Sequence, residues 1–600
     1  MTQSLSVSKS VFLAWGVFIA ITSITYLNAG LDYIGQDNDD VMRLVQVRDL
    51  LSGQGWFDLN QYRLGLDGGI LMHWSRMVDA PIAGLIILFS LFLQPLTAEA
   101  AALYVWPLLT ALPVIYGFAY SLRAMCGAPG IIIGALCGAI FAFGVGKFGV
   151  GAIDHHNVQL AIFALITACL LSPTHHWIGY AFAGFLSALA LAIGAETTPL
   201  IAVVCGIVAV SWAITGGVTM RRPTRIFGLS MALFLTIIFY ATTPAHQYST
   251  VVCDALSLGF YVIGVAGAAG LYLAAALFSY QNRTIRFIVL AGIGLIVGVV
   301  ALIIAPNCLS NPLSDLDPFL VKMWLNNVTE ARSITAQLSL KPLTSFGFYM
   351  VPILAILLCL YRLWVKDRTE QYLKLLVLIL CTTLISFIQI RGSIFSTMIG
   401  MIPLAVLITQ LRLKTHADPK NHLLSLAFVV TVIISLPIAW KALGTGLSAG
   451  ISSLNQAPSS SVTTSDLTDM QANACNTDDA LSLLATEPKG LVMGPSNLGV
   501  SVLRFTQHRV ISAPYHRNEL GMLAEIYAST AEPTQAKPLL AQAGINYIAL
   551  CKSDPQVQLS KDSSPNGLYA QLLEGQIPEY LELVEASQGQ PIEIYRVKLQ

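Results

Sequence analysis

Long apolar runs separated by short polar connectors dominate the chain. Apolar runs of about 17–22 residues recur between residues 11 and 440, a length that suffices to cross a bilayer as an α-helix. A shorter run, Pro81–Leu93, fits an interfacial or re-entrant helix better than a span. We expect membrane helices at 11–29, 101–121, 130–147, 158–172, 177–194, 199–215, 226–241, 259–279, 287–305, 346–364, 373–389, 394–411 and 423–440.

The positively charged connectors predict which side of the membrane each loop faces. Lys and Arg near helix ends favour the cytoplasmic side, and here they concentrate at 121–127, 220–225, 281–286, 362–368 and 412–420. Placing these connectors inside puts the N-terminus inside as well. The outer face then holds the loops 30–80 and 306–345, the segment around Asp154 and everything after residue 441. We expect a bacterial inner membrane, with this face in the periplasm.

The pattern changes after residue 440. Residues 441–465 are rich in Ser and Thr and are expected to form a linker. Residues 466–600 alternate short apolar segments, typical of buried strands ("GLVMG", "INYIALC"), with helical segments ("NELGMLAEIYAST", "AKPLLAQAG"). The sequence thus predicts a polytopic α-helical membrane domain over 1–440, with about thirteen transmembrane helices, followed by a soluble C-terminal α/β domain.

Composition excludes some functions and limits the disulfides. The 600 residues have a mean hydropathy of +0.68 and no net charge, and no basic block is present, so nucleic acid is not an expected partner. Seven of the ten cysteines lie in or beside apolar runs. The other three, Cys308, Cys475 and Cys551, allow one disulfide at most, and Cys475–Cys551 is the favoured pair.

Three outer segments carry acidic residues in unusual settings. Asp37, Asp39 and Asp40 follow the first helix, Asp154-His155-His156 interrupts two apolar runs, and Glu330 stands beside Arg332 in an otherwise uncharged stretch. Carboxylates with one imidazole are ligands suited to Mg²⁺ or Mn²⁺. The sequence therefore predicts a divalent cation on the outer face, although loops at a membrane surface are also commonly polar.

Several further polar residues are candidates for donor or acceptor binding, among them Asp37, Asp40, His155 and Arg332 of the same outer segments. Glu196 interrupts an apolar stretch near the outer side, where an ionisable group is often functional, but it could also simply end a helix before Pro199. Arg76 could bind a glycan or headgroups, or could anchor the chain at the membrane interface. Tyr515, His516 and Arg517 could contact an acceptor or serve the fold of the C-terminal domain.

These residues in this order resemble the GT-C glycosyltransferases, most closely the catalytic subunit of oligosaccharyltransferases. Asp37-Asn38-Asp39 matches the D/E-x-D motif of the first outer loop, and Asp154-His155-His156 matches the second motif, D-x-D/E/H. "NVTE", ending at Glu330, matches the glutamate motif of a long outer loop. Arg391 in "FIQIRGSIF" matches an arginine at the outer end of a late helix.

The resemblance implies a reaction and its participants. Asp39, Asp154, His156 and Glu330 would bind Mg²⁺ or Mn²⁺, and Asp39 would also orient or deprotonate the acceptor. Arg391 would contact the phosphate of a polyprenyl-linked glycan donor, whose tail stays in the lipid bilayer. Transfer would invert the anomeric centre and deliver the glycan to a protein, glycolipid or polysaccharide acceptor.

One departure leaves the acceptor open. The W-W-D-Y-G motif, with which the family grips an acceptor sequon, is absent, and no Trp follows Trp440. A GT-C enzyme that adds a single sugar to a glycolipid or polysaccharide is therefore an alternative. A lipid or glycan transporter is a second one, although the chain shows no internal repeat and its acidic residues cluster on one face.

Overall fold

Helices occupy most of the chain in this computed structural model, which describes residues 6–30, 32–35, 37–310, 313, 315–340, 342–455 and 474–598. The first nine helices along the described chain are α1 (Val7–Ala29), α2 (Asn38–Leu51), α3 (Arg76–Ser90), α4 (Pro95–Cys126), α5 (Ala128–Gly144), α6 (His156–Leu171), α7 (Trp177–Ile193), α8 (Thr198–Thr215) and α9 (Gly217–Thr242). The next nine are α10 (Leu258–Leu277), α11 (Arg283–Ile304), α12 (Pro318–Met323), α13 (Ile334–Leu340), α14 (Phe346–Trp364), α15 (Thr369–Ile388), α16 (Ser393–Ala417), α17 (His422–Ile434) and α18 (Pro437–Asn455). The C-terminal region adds α19 (Asp478–Thr486), α20 (Ser496–Phe505), α21 (Glu519–Thr530), α22 (Pro533–Ala543), α23 (Pro555–Ser563) and α24 (Leu568–Leu573).

Twelve of the thirteen predicted membrane spans each coincide with one helix, whereas the last, 423–440, covers α17 and the start of α18. Among the described residues, nine helices are long and apolar enough to cross a membrane, and α17 with α18, bent by 77°, would make ten. The predicted spans near 130–147, 158–172 and 177–194 correspond to the shorter apolar helices α5, α6 and α7. The apolar pattern is therefore confirmed as that of an integral membrane protein.

Two expected boundaries differ from the structure. The short apolar helix begins at Arg76 rather than Pro81, because Ser75 caps it by accepting a hydrogen bond from the amide of Met77. The expected linker 441–465 is helical up to Asn455, where it belongs to α18. Its residues 456–465, and residues 466–473 of the expected C-terminal domain, lie outside the described residues.

The structure contains two disulfides. Cys475–Cys551 confirms the predicted pair, whereas Cys253–Cys308 shows that the limit of one disulfide is wrong. Cys253 was counted with the apolar runs, but it lies in the connector between α9 and α10, within reach of Cys308 in the connector after α11. Sequence proximity to an apolar run therefore did not indicate burial in a helix.

The chain divides into two compact units. The membrane unit comprises Met1–Gly35, Trp74–Pro312 and Glu330–Asn455, and the C-terminal unit comprises Gln36–His73, Leu313–Thr329 and Gln456–Gln600. Parts of two predicted outer loops thus belong to the C-terminal unit. There, Leu320 and Met323 of α12 pack against Met522 and Ile526 of α21.

The C-terminal unit has the predicted α/β character. The strands are β1 (Asn60–Gln61) and β2 (Ile70–Leu71), which pair as a separate hairpin, and β3 (Leu491–Met493), β4 (Arg509–Val510), β5 (Tyr547–Cys551), β6 (Leu581–Leu583) and β7 (Ile592–Val597). The main sheet has the strand order β4-β3-β5-β7-β6, in which β3 is parallel to β4 and β5, while β7 is antiparallel to β5 and β6. The predicted strands in "GLVMG" and "INYIALC" are confirmed as β3 and β5.

Candidate active site

A cavity in the membrane unit brings together charged and amide side chains from four parts of the chain. Its volume, including space open to solvent, is about 630 Å³, and it lies beside the start of α6, the start of α8 and the turn between α15 and α16. Its apolar walls include Leu160, Leu200 and Phe395. Its polar lining consists of Lys147, His156, Gln159, Glu196, Glu330, Thr382, Gln389 and Arg391.

A glycine fixes the loop that carries Asp154 and the two histidines. Gly151 has a φ of +79°, and a Cβ at this position would lie 2.4 Å from the carbonyl carbon of Ile34. Its carbonyl also accepts a hydrogen bond of 2.8 Å from the amide of Gly35. Glycine is therefore required by both conformation and close approach. At the other end of the loop, Asn157 donates to the carbonyl of Ala152 at 2.9 Å.

His155 is held between two carboxylates. Its Nδ1 lies 2.5 Å from Oδ1 of Asp154, and its Nε2 lies 2.7 Å from Oε1 of Glu196. Burial alone would lower the pKa of His155, but the two carboxylates outweigh it and raise the pKa to about 10. Since carboxylate oxygens accept, both ring nitrogens donate, and His155 is a buried imidazolium that cannot also ligate a metal.

Gln159 determines which nitrogen of His156 carries the proton. Its Nε2 donates to Oε1 of Glu196 at 2.8 Å, so its Oε1 is the atom that lies 3.1 Å from Nδ1 of His156. An amide oxygen only accepts, and Nδ1 of His156 must therefore be the donor. This leaves the lone pair on Nε2, which lies 3.4 Å from Oδ2 of Asp154.

This donor set fits a divalent cation. Ligand atoms of Asp154, His155 and His156 lie within 4.8 Å of one another, but His155 is engaged at both nitrogens, so coordination falls to Asp154 and His156. Glu330 lines the same cavity as His156 and supplies a further carboxylate. Two carboxylates and one imidazole are a set that Mn²⁺ or Mg²⁺ accepts.

Two cations face the same cavity. Nζ of Lys147 donates to Oε1 of Glu330 at 3.2 Å, and these side chains are 18% and 47% exposed. Partial burial tends to raise the pKa of Glu330, but the ammonium group of Lys147 lowers it below its usual range. Arg391 lies in the turn between α15 and α16, where its Nε donates to Oε1 of Gln389 at 3.0 Å. The cavity therefore offers positive charge for an anionic ligand beside the carboxylate–histidine cluster.

The other predicted residues lie elsewhere. Arg76, the first residue of α3, is buried and pairs with Asp79 at 3.1 Å, so its guanidinium is not exposed as that of an interfacial anchor would be, and its binding role stays a prediction. The carbonyl of Arg332 accepts from the amide of Ile390, which ties the glutamate segment to the Arg391 turn. The remaining predicted residues, Asp37, Asp39, Asp40, Tyr515, His516 and Arg517, belong to the C-terminal unit, and their binding roles stay predictions.

Three charged or amide residues of the cavity were not among the sequence predictions. Lys147 is a single cation in the glycine-rich stretch "GVGKFGVGAID", seven residues before Asp154. Gln159 and Gln389 are amides at the ends of apolar runs, where an uncharged polar residue attracts little notice. Their common signal is a polar side chain within one or two helical turns of a motif residue.

Known sequences and known structures gave different results. No protein-family model and no curated protein sequence matches the chain. Solved structures of the oligosaccharyltransferase of the archaeon Archaeoglobus fulgidus do match. The complex of this enzyme, AglB, with an inhibitory peptide and a dolichol-phosphate aligns with a TM-score of 0.66 at 13% identity, over 96% of this chain and 72% of that chain.

Two further structures of the same archaeal enzyme agree with this alignment. The complex with Zn and sulfate has a TM-score of 0.62 at 13% identity, covering 95% of this chain and 71% of that one. The form tethered to an acceptor peptide with the NVT sequon has a TM-score of 0.57 at 14% identity, covering 89% and 68%. The fold implied by the sequence motifs is thereby confirmed: the chain has the GT-C fold of the archaeal oligosaccharyltransferase.

Proposed function

We propose that this protein is a glycosyltransferase that moves a glycan from a polyprenyl phosphate or pyrophosphate to an acceptor at the membrane surface. One observation carries the proposal. His156, which with the neighbouring Asp154 is suited to a divalent cation, lines the same cavity as Arg391 and Lys147, which are suited to phosphate. A solved structure of similar fold contains a dolichol-phosphate, which supports a donor of this class.

The residues of the cavity divide the chemistry between them. When bound, Mg²⁺ or Mn²⁺ would supply Lewis-acid stabilisation of the negative charge that develops on the departing phosphate. Asp154, His156 and Glu330 would hold the ion, and Glu196 and Gln159 would orient both histidine rings. Arg391 offers a planar fork of donors to phosphate oxygens.

Lys147 supplies a second positive charge near Glu330. Attack of the acceptor on the anomeric carbon, from the side opposite the phosphate, would invert the anomeric centre. Asp39 stays a predicted further ligand and the predicted residue that activates the acceptor, on the strength of the sequence resemblance.

A peptide is the acceptor class we favour. Two of the similar structures were solved with peptides, one inhibitory and one an acceptor with the NVT sequon. The absence of W-W-D-Y-G favours the alternative of a single-sugar transfer to a glycolipid or polysaccharide. The positively charged connectors support a site on the outer face, which we place in the periplasm of a bacterial inner membrane.

Reconstitution tests this proposal directly. The full chain in lipid nanodiscs is supplied with Mn²⁺, extracted polyprenyl-linked glycans and either acceptor peptides or glycolipids, and products are identified by mass spectrometry. We expect transfer that His156→Ala abolishes, whereas His422→Ala, at the start of α17, leaves it unchanged. Absence of transfer to every acceptor class, with the donor intact, would refute the proposal; movement of donor across the bilayer without bond cleavage would indicate a transporter.

A further inference from the structure

The first acidic segment is a structural part of the C-terminal unit. Residues 36–73 belong to that unit together with residues 313–329 and 456–600, which lie much later in the sequence. Helix α2, which begins in the Asp37-Asn38-Asp39 motif, packs along α20. The contacts occur at both ends of α2, and the two ends differ in what they hold.

The far end of the segment is fastened by arginines and by the sheet. Arg48 donates to the carbonyl of Arg504 at 2.9 Å. Arg63 donates to the carbonyls of Leu503 and Thr506 at 2.9 and 3.0 Å. The carbonyls of Leu503 and Arg504 are among the last of α20, and Thr506 is its C-cap, so the helix itself leaves these groups without intrahelical partners.

The backbone adds a second attachment. Leu64 forms a parallel bridge to Val510 of β4. The amide of Val510 donates to the carbonyl of Arg63, and the amide of Gly65 donates to the carbonyl of Val510, both at 2.8 Å. The segment after α2 therefore extends the C-terminal sheet beyond β4, and this end remains attached without any help from the acidic motif.

The near end is held through the middle residue of the motif. Nδ2 of Asn38 donates to Oδ1 of Asn497 at 3.0 Å, and the hydroxyl of Tyr515 donates to the carbonyl of Asn38 at 3.0 Å. Tyr515 is only 3% exposed, so its hydroxyl bond is shielded from water. In addition, the carboxylate of Asp37 accepts from the amide of Asp39 at 3.2 Å, as an N-cap of α2. Both the side chain and the backbone of the residue between the two acids are thus fixed by the C-terminal domain.

We propose that Asn497 and Tyr515 are positioning residues for the first acidic motif. The sequence predicted Tyr515 as a contact for the acceptor. Instead, Tyr515 acts on the site through its hydrogen bond to Asn38. This inference rests on the proposed function only for the use made of Asp39. The contact itself is a property of the C-terminal unit.

The experiment compares two hydroxyl deletions of equal chemistry. Tyr515→Phe, alone and with Asn497→Ala, is set against Tyr547→Phe, because Tyr547 also donates a partly buried hydroxyl to a backbone carbonyl, that of Pro488 at 2.9 Å. All variants are full-length. Hydrogen exchange measures the amides of residues 37–45, and calorimetry of donor-free protein measures Mn²⁺ binding. We expect the double variant to exchange at least about five-fold faster there and to bind Mn²⁺ about ten-fold more weakly, while Tyr547→Phe matches wild type.

Turnover supplies a third readout. In the active enzyme we expect the double variant to lose about ten-fold in kcat with KM for the acceptor within about two-fold, since a misplaced motif impairs the reaction more than binding. Unchanged exchange at 37–45 would overturn the contact, and unchanged Mn²⁺ affinity would overturn the positioning role. If wild type transfers no glycan at all, the proposed function fails, while exchange and Mn²⁺ binding still decide this inference.

Discussion

Nε2 of His156 faces Oδ2 of Asp154 across 3.4 Å. Nε2 presents a lone pair there, because the proton of the ring is on Nδ1, which donates a hydrogen bond to the amide oxygen of Gln159. Two electron-rich atoms at this separation repel each other unless a cation lies between them. Gln159 in turn donates to Glu196, so a partly buried carboxylate fixes the amide and thereby the tautomer of the histidine.

Gln159→Leu should weaken the binding of the divalent cation. Leucine removes the acceptor for Nδ1 of His156, so the ring can take the other tautomer and place its proton on Nε2. Loss of an outer contact of this kind typically costs 10- to 100-fold in metal affinity. Isothermal titration of donor-free protein with Mn²⁺ measures it. Gln281→Leu, at an exposed connector position, is the control and should bind as wild type does. Equal affinities in the two variants would contradict the relay.

Arg391→Ala should lower turnover far more than donor binding. A charged hydrogen bond that tightens as the phosphate departs is worth on the order of 2–4 kcal/mol, or roughly thirty- to a thousandfold in kcat. Arg391→Lys should keep part of the activity, since lysine offers charge but no planar fork. Single-turnover kinetics with a radiolabelled donor separates donor binding from cleavage of the bond between glycan and phosphate.

Arg412 provides the control for Arg391. Arg391 lies just before the start of α16 and Arg412 lies near the end of this helix, so Arg412→Ala should leave kcat unchanged. If Arg391 merely reaches the membrane interface, as arginines near helix ends do, then both Arg391→Ala and Arg391→Lys would turn over normally. That result would shift the phosphate-binding role to Lys147.

Lys147→Met should tighten cation binding modestly. The ammonium group pairs with Glu330 at 3.2 Å and competes for the carboxylate that the ion would use. Because Glu330 is 47% exposed, the pair is screened and is worth at most about 1 kcal/mol. We expect a two- to five-fold lower Kd for Mn²⁺ at low ionic strength and no difference at about 1 M salt. A higher Kd of Lys147→Met for Mn²⁺ at low salt would show that Lys147 supports binding of the ion rather than competing with it.

The second disulfide makes a prediction about sidedness. Disulfides persist in oxidising compartments, so the connectors with Cys253 and Cys308 should both lie outside, as the positive-inside pattern predicts. Reporter fusions after Arg225 and Arg286 should give cytoplasmic signals, and a fusion after Gly151 an extracytoplasmic one. A cytoplasmic signal at Gly151 would place the candidate site on the wrong face.

The apolar pattern predicted much more of the fold than of the site. Runs of membrane length leave few alternatives to helices, so every predicted span is helical, although the span 423–440 is divided between α17 and α18. The strands β4 and β6, by contrast, have two and three residues, too few for an alternating pattern. They exist because neighbouring strands supply their hydrogen bonds.

The site shows the same limit at the level of single side chains. Motif spacing predicted Asp154, His156 and Arg391 as site residues. The fold brings His156 and Arg391 to one cavity, and Oδ2 of Asp154 lies 3.4 Å from Nε2 of His156. Motif spacing could not assign His155, because the role of that ring depends on Glu196, which lies 41 residues away. Likewise, nothing in the sequence around Tyr515 indicates that its hydroxyl reaches Asn38. Contacts of this kind require the tertiary structure.

A buried carboxyl in the C-terminal unit predicts a pH-dependent stability. Glu525 is fully buried among α21, α23 and α24, and Oε2 accepts from Nε2 of Gln556 at 2.5 Å. Burial raises the pKa of Glu525 to about 8, whereas a glutamate in an unfolded chain has a pKa of about 4.3. Between these values the folded state binds more protons than the unfolded state. The contribution of Glu525 to the free energy of unfolding is therefore present in full below about pH 4 and is lost as the pH rises towards 8.

Glu525→Gln should remove this dependence, because glutamine resembles the neutral acid in shape and still offers an oxygen to Gln556. The apparent melting temperature of the full-length protein in detergent is measured from pH 5 to pH 8.5. We expect the wild type to be destabilised by a few kcal/mol relative to Glu525→Gln at the upper end, with the difference shrinking towards pH 5. Burial also raises the pKa of Asp554 to about 6, but that contribution is common to both proteins. Glu579→Gln, at an exposed position, should follow the wild-type curve. If the difference between wild type and Glu525→Gln stayed constant with pH, Glu525 would have to be ionised in the folded protein throughout this range.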